Sequence, residues 1–179
     1  MGDLYSVIVE IYPYNRDELV QFNAGKQLVE FLDELIANER AYCELDRGAN
    51  TFNFDLTEFR SFKLLDELAL MVSNCGLYYW EDTVSTSQTG YALRRFFFPG
   101  GMSIGFTCGT EGVVVLEGLP FGVLAALDNP IERVQAYYDF GCKSVEEIAA
   151  LTPLELLRFK SLLGAFFEHA NPQVPVTTF

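Results

Sequence analysis

Apolar and polar positions change period along this chain, and each change predicts an element. "LYSVIVEIY" (4–12) is rich in branched residues and partly alternates, which predicts a strand. "NRDELVQFNAGKQLVEFLDELIANERA" (15–41) follows with helical spacing. Leu28, Phe31, Leu32 and Leu35 fall at i, i+3, i+4 and i+7 and form one apolar stripe. Glu30, Asp33 and Glu34 lie on the opposite side as a short acidic ridge, and Gly25 moves the expected start of the helix to about Asn23. "AYCELD" (41–46) and "TFNFDL" (51–56) are strand candidates around a "RGAN" turn.

Thr57 offers a cap to "EFRSFKLLDELALMVSN", where Phe62, Leu65, Ala69 and Val72 make one face and Leu64, Leu68 and Met71 widen it. A helix that apolar is expected to be largely buried. "CGLYYWED", "YALRRFFF", "MSIGFTC" and "GVVVLEG" read as strands of an antiparallel meander over 76–118, with "TSQTG" as a loop. Pro99-Gly100-Gly101 has the chemistry of a tight turn. Beyond it Met102, Ile104, Phe106 and Cys108 point one way, and Ser103, Gly105 and Thr107 the other. Arg94 and Arg95 are adjacent on a strand, so at most one is expected on the core side and the other as an exposed base.

The last third has a different grammar. Asn129, Ser144 and Thr152 each precede a glutamate three residues later (Glu132, Glu147, Glu155), the spacing of a capping box. Pro130 and Pro153 stand at first helical positions, where a missing N–H costs nothing. Helices are therefore expected over this region, followed by an extended tail in which Pro172 and Pro175 oppose helix. Residues 140–164 are similar to the first half of a helix-hairpin-helix DNA-binding unit, but "KSLLG" stands inside continuous helical pattern where that family has its hairpin glycines. The likeness is one of helix capping.

These elements predict an α+β fold: a mostly antiparallel sheet packed with one or two helices, followed by a C-terminal helical subdomain. The expected limits are 1–118 for the sheet domain, 119–170 for the helical subdomain and 171–179 for the tail. With half of its 179 residues hydrophobic, the chain can bury a sizeable core. No apolar run approaches the roughly 20 residues that span a membrane, so a cytoplasmic protein without membrane contact is expected.

Chemistry is sparsely signalled. The four cysteines stand 32–34 residues apart with no CxxC spacing, and His169 is the single histidine. Neither a metal site nor a cofactor is predicted, and buried free thiols are the simplest reading. One alternative can be written, a small enzyme or ligand-binding domain with a thiol site at Cys108, His169 as base and Glu111 as its carboxylate. Against it, an apolar setting raises a thiol's pKa, and the end of a helix orients a base poorly.

Charge is more informative. The formal net charge is −13, with 12 acids against 5 bases in residues 1–60 and 9 against 4 in residues 111–179. Such a field opposes direct nucleic-acid binding and favours a basic partner. The expected function is accordingly a non-catalytic, acidic interaction protein. Its partner would be a basic protein such as a nucleic-acid-binding enzyme, which it blocks in the manner of phage or plasmid inhibitors of host defence. Asp17, Glu18, Glu30, Asp33 and Glu34 are the acids expected at that contact, with Tyr79, Trp80, Glu81 and Asp82 as an aromatic and acidic surface beside them. A structural subunit of a larger assembly is the remaining alternative, and a homo-oligomer is compatible with either.

Overall fold

The computed structural model describes residues 4–37, 51–85, 92–108, 115–116 and 121–169. Five strands, β1 (Leu4–Tyr12), β2 (Thr51–Thr57), β3 (Tyr78–Ser85), β4 (Ala92–Phe97) and β5 (Ser103–Cys108), form one sheet. Its order is β2-β1-β3-β4-β5, and every neighbouring pair is antiparallel. The helices are α1 (Arg16–Leu19), α2 (Asn23–Ala37), α3 (Glu58–Asn74), α4 (Phe121–Ala126), α5 (Pro130–Gly141), α6 (Val145–Ala149) and α7 (Pro153–His169). The fold is α+β, with a helical C-terminal region.

Alternation along the strands sorts side chains onto two faces, and helices cover both. On the first face Val7, Val9 and Ile11 of β1, Phe52 of β2 and Tyr79 of β3 join Leu28 and Leu32 of α2 and Leu65, Leu68 and Val72 of α3. On the second, Phe96, Ile104, Phe106 and Cys108 pack with Tyr137 and Phe140 of α5, Ile148 of α6 and Phe166 of α7. The C-terminal helices thus share a core with the sheet rather than forming one of their own. Phe140 sits at the centre of an aromatic cluster, its ring 5.6 Å from Phe96, 5.9 Å from Phe106 and 5.1 Å from Phe159.

Local expectations are met where the period is clean. Along β5 the residues alternate between half-buried and buried, with Ile104, Phe106 and Cys108 inside. The turn before it needs glycine, because Gly100 and Gly101 both have φ of +92°. Ser73 at the end of α3 pins that turn: its hydroxyl donates to Phe98 O and accepts the Gly101 N–H at 2.8 Å.

The helix expected from about Asn23 is α2, which starts there, and the short α1 precedes it across a break at residues 20–22. Two expectations need correction. Ser144 and Thr152 make complete capping boxes, whereas Asn129 stands in the left-handed region at φ +52° and caps nothing with its side chain. Proline at the next position pushes Asn129 out of the right-handed helical region, and asparagine tolerates the alternative. Val115 and Leu116, expected on a strand, are irregular, although the Val115 N–H donates to Thr107 O at 2.9 Å. The features expected at 41–50, 86–90 and 171–179 lie outside the described residues, as do the side chains of Thr57 and Phe62.

Candidate interaction site

Cross-strand register decides the fate of the adjacent carboxylates and arginines. Glu81 pairs with Arg95 and Asp82 with Arg94 across β3 and β4, and alternation sends the two pairs to opposite faces. On the first face Glu81 accepts from Arg95 Nε and from Tyr79 Oη, both at 2.5 Å, while Arg95 Nη1 reaches Asp66 of α3 at 2.6 Å. Burial, followed by the charge of Glu81, pushes the Tyr79 phenol well above its ordinary pKa, so it stays a proton donor. On the second face Arg94 forks onto Asp82 at 2.8 and 2.7 Å and donates to Gly141 O at 2.7 Å. Its guanidinium lies 5.1 Å from the centre of the Trp80 ring.

The contact surface expected of Tyr79, Trp80, Glu81 and Asp82 is therefore mostly internal. Tyr79 and Glu81 have no exposed surface, Asp82 is buried, and Trp80 is partly buried. Nor is either arginine an exposed base, because helices cover both faces of the sheet. Each pair ties the sheet to a helix layer, Arg95 to α3 through Asp66 and Arg94 to the end of α5 through Gly141.

The other expected acids are exposed. Asn15 caps α1 by accepting the N–H groups of Asp17 and Glu18 at 3.1 and 3.3 Å, which leaves both carboxylates in solvent. Arg16 reaches from α1 to Asp33 of α2 through two bonds of 2.8 and 2.7 Å. That bond holds the Asp33 carboxyl below the usual carboxylate range. Glu30 stands 3.8 Å from Lys26, and Glu34 is exposed. The two helices thus present Asp17, Glu18, Glu30 and Glu34 outward, with Asp33 neutralised by Arg16.

Of the thiol alternative, only Cys108 has a described side chain. Cys108 is buried among the aromatic residues of the second face, and burial pushes its thiol up to about 11. His169 is the last residue of α7, and Glu111 lies outside the described residues. Among the described residues no group of His, Cys, Asp or Glu could hold a metal ion. Exposed Cys142 is expected to react with a thiol reagent in native protein, with Cys108 on the order of a hundredfold slower and labelled only as the protein unfolds. Peptide mapping after a timed pulse checks this, and rapid labelling of Cys108 would favour the thiol reading.

A feature missed in the sequence lies between α5 and α7, an open groove of about 800 Å³. Ile131, Ala136, Phe159 and Leu162 give it apolar walls, and Glu132, Asp139, Lys143 and Arg158 stand along them. Arg133 braces the walls by donating to Asp128 O, Ser161 O and Leu162 O, and Arg158 donates to Glu132 at 2.9 Å. Glu132, expected as the capping partner of Asn129, serves this brace instead. Ile131 is 85% exposed, and Leu154 and Leu157, on the outer side of α7, are 77% and 62% exposed. The signal was present: "PLELLRFKSLLGAFF" carries more apolar positions than one buried stripe can absorb.

The chain matches no family model, no curated protein and no solved structure. No helix among the described residues is long and apolar enough to cross a membrane.

Proposed function

We propose that the chain is a non-catalytic interaction protein that captures a basic protein surface, of the kind nucleic-acid-processing enzymes present, and blocks it. One observation carries the reading. The three most exposed large apolar side chains among the described residues, Ile131, Leu154 and Leu157, all belong to the α5–α7 pair that forms the groove. Ile131 lines the groove while Leu154 and Leu157 stand on the outer side of α7, and exposed apolar side chains concentrated on one helix pair mark a surface for contact. A net charge of −13 sets the sign of the partner, and the outward acids of α1 and α2 supply steering. Free thiols at Cys75, Cys108 and Cys142 suit the reducing cytoplasm, where such enzymes work.

The test is capture from nuclease-treated lysate on immobilised chain, at low and at high salt. The native chain is compared with an acid-reversal set (Asp17→Lys, Glu18→Lys, Glu30→Lys, Glu34→Lys) and with Leu154→Ser/Leu157→Ser. A basic protein retained by the native chain, inhibited by it, and captured about tenfold less by either variant at low salt is the expected result. Equal capture by all three chains, or recovered proteins no more basic than those on an acidic control column, would remove the reading.

A further inference from the structure

The groove is walled mainly by α5 and α7, with the loop residues Asn129, Lys143 and Leu151 at its margins, and no strand among the described residues lines it. It offers no strand edge to a guest. A guest that buries its backbone there must satisfy its own N–H and C=O groups, and among regular structures the α-helix does so within one segment. The apolar walls of Ile131, Ala136, Phe159 and Leu162 suit side chains repeating at i, i+3/i+4 and i+7, the pattern by which a helix seats in a groove.

The charged groups along the walls differ in what they have left to offer. Glu132 is bonded to Arg158, and Glu155 caps its own helix through Thr152. Lys143 lies 5.9 Å from the centre of the Phe159 ring. Asp139 is exposed and accepts from the uncharged amide of Gln135 at 2.8 Å, and no cation among the described residues is bonded to it. A second copy of this chain would bring further negative charge to that wall. A lysine or arginine would complement it.

Resting on the interaction reading above, we infer that the α5–α7 groove is the seat of a basic amphipathic helix of the partner, its apolar stripe between Ile131 and Phe159 and a cation against Asp139. The probe is a fluorescein-labelled 18-residue peptide of leucine and lysine patterned at the helical period, read by anisotropy in 150 mM salt. Two controls accompany it, an isomer of the same composition patterned at period two and a version with glutamate in place of lysine.

The helical peptide is expected to bind the native chain at least tenfold tighter than either control. Ile131→Asp should weaken it about tenfold and Asp139→Lys at least threefold, in variants whose circular dichroism and melting match the native chain. Glu67→Lys on α3, outside the groove and outside the acidic α1–α2 face, should change it less than twofold. Equal binding of the period-two isomer or of the glutamate version would overturn the inference. So would indifference to both groove substitutions, or no binding at all. A native dimer in sedimentation that Ile131→Asp dissociates would also overturn it, assigning the groove to a second copy. If the peptide fails while the Leu154→Ser/Leu157→Ser chain still loses its captured partner, this inference falls and the interaction reading stands.

Discussion

Replacing Arg95 with alanine is expected to remove about 3–5 kcal/mol of folding stability, the cost of leaving a buried charge without its partner. Glu81 has no exposed surface, and after the substitution its carboxylate keeps only the Tyr79 hydroxyl. The link from β4 to Asp66 of α3 is lost at the same time. Most single domains hold only about 5–15 kcal/mol in total, so the variant should sit close to unfolding. By contrast Arg16→Ala, which removes the half-exposed bridge to Asp33, should cost about 1 kcal/mol or less, since water screens that pair.

A second arm separates charge from packing. Arg95→Met leaves Glu81 unpaired, whereas Arg95→Met/Glu81→Met removes both charges while keeping side-chain bulk. The double variant is expected to be the more stable of the two, because apolar replacement of a whole buried pair is often neutral or favourable. Urea unfolding followed by circular dichroism measures all four chains. A loss below about 1 kcal/mol in Arg95→Ala would mean that water reaches Glu81 and that the pair is not a buried one.

These two arginines show where sequence reasoning reaches its limit. Period-two alternation correctly separates Glu81 from Asp82 and places Cys108 with Ile104 and Phe106, because facing is a local property of a strand. Whether a face meets solvent is not local. Arg94 and Arg95 are both buried because α3 covers one face and α5 the other, pairings that join residues 29 and 47 positions apart. The place of β1 between β2 and β3 is equally non-local, since nothing in "LYSVIVEIY" marks a central strand with two partners. Capping grammar is legible at Ser144 and Thr152, and fails at Asn129 because Pro130 changes the backbone there. The exposed acids of α1 and α2 follow from helical spacing. The groove depends on how α5 crosses α7, and only the surplus of leucines in α7 announces it.

Gly25 reads in the sequence as a weak point of a helix, and the structure gives it the opposite meaning. It lies in the first turn of α2, buried, where α2 comes back against the end of α1. A Cβ at this position would stand 2.2 Å from Leu19 O, 2.8 Å from Leu19 C and 2.8 Å from Phe22 Cζ. Two of those atoms are backbone and cannot swing aside. Alanine would gain up to about 1 kcal/mol from helix propensity, but relieving the contact must shift α1 away from α2. That movement draws buried Leu19 out of the core and strains the Arg16–Asp33 bridge. Overpacking of this kind costs about 1–3 kcal/mol, and with backbone in the way the upper part of that range applies. Gly25→Ala is therefore expected to lose about 2 kcal/mol net and to melt roughly 4–8 °C lower. Hydrogen exchange should show the amides of α1 opening first. Gly164 of α7 is the matched control, since nothing lies within 4 Å of its would-be Cβ. Gly164→Ala should be neutral or gain about 0.5–1 kcal/mol from propensity alone. If both substitutions stabilise equally, α1 is not seated against Gly25, and the clamp that holds the acidic α1–α2 face together is lost with it.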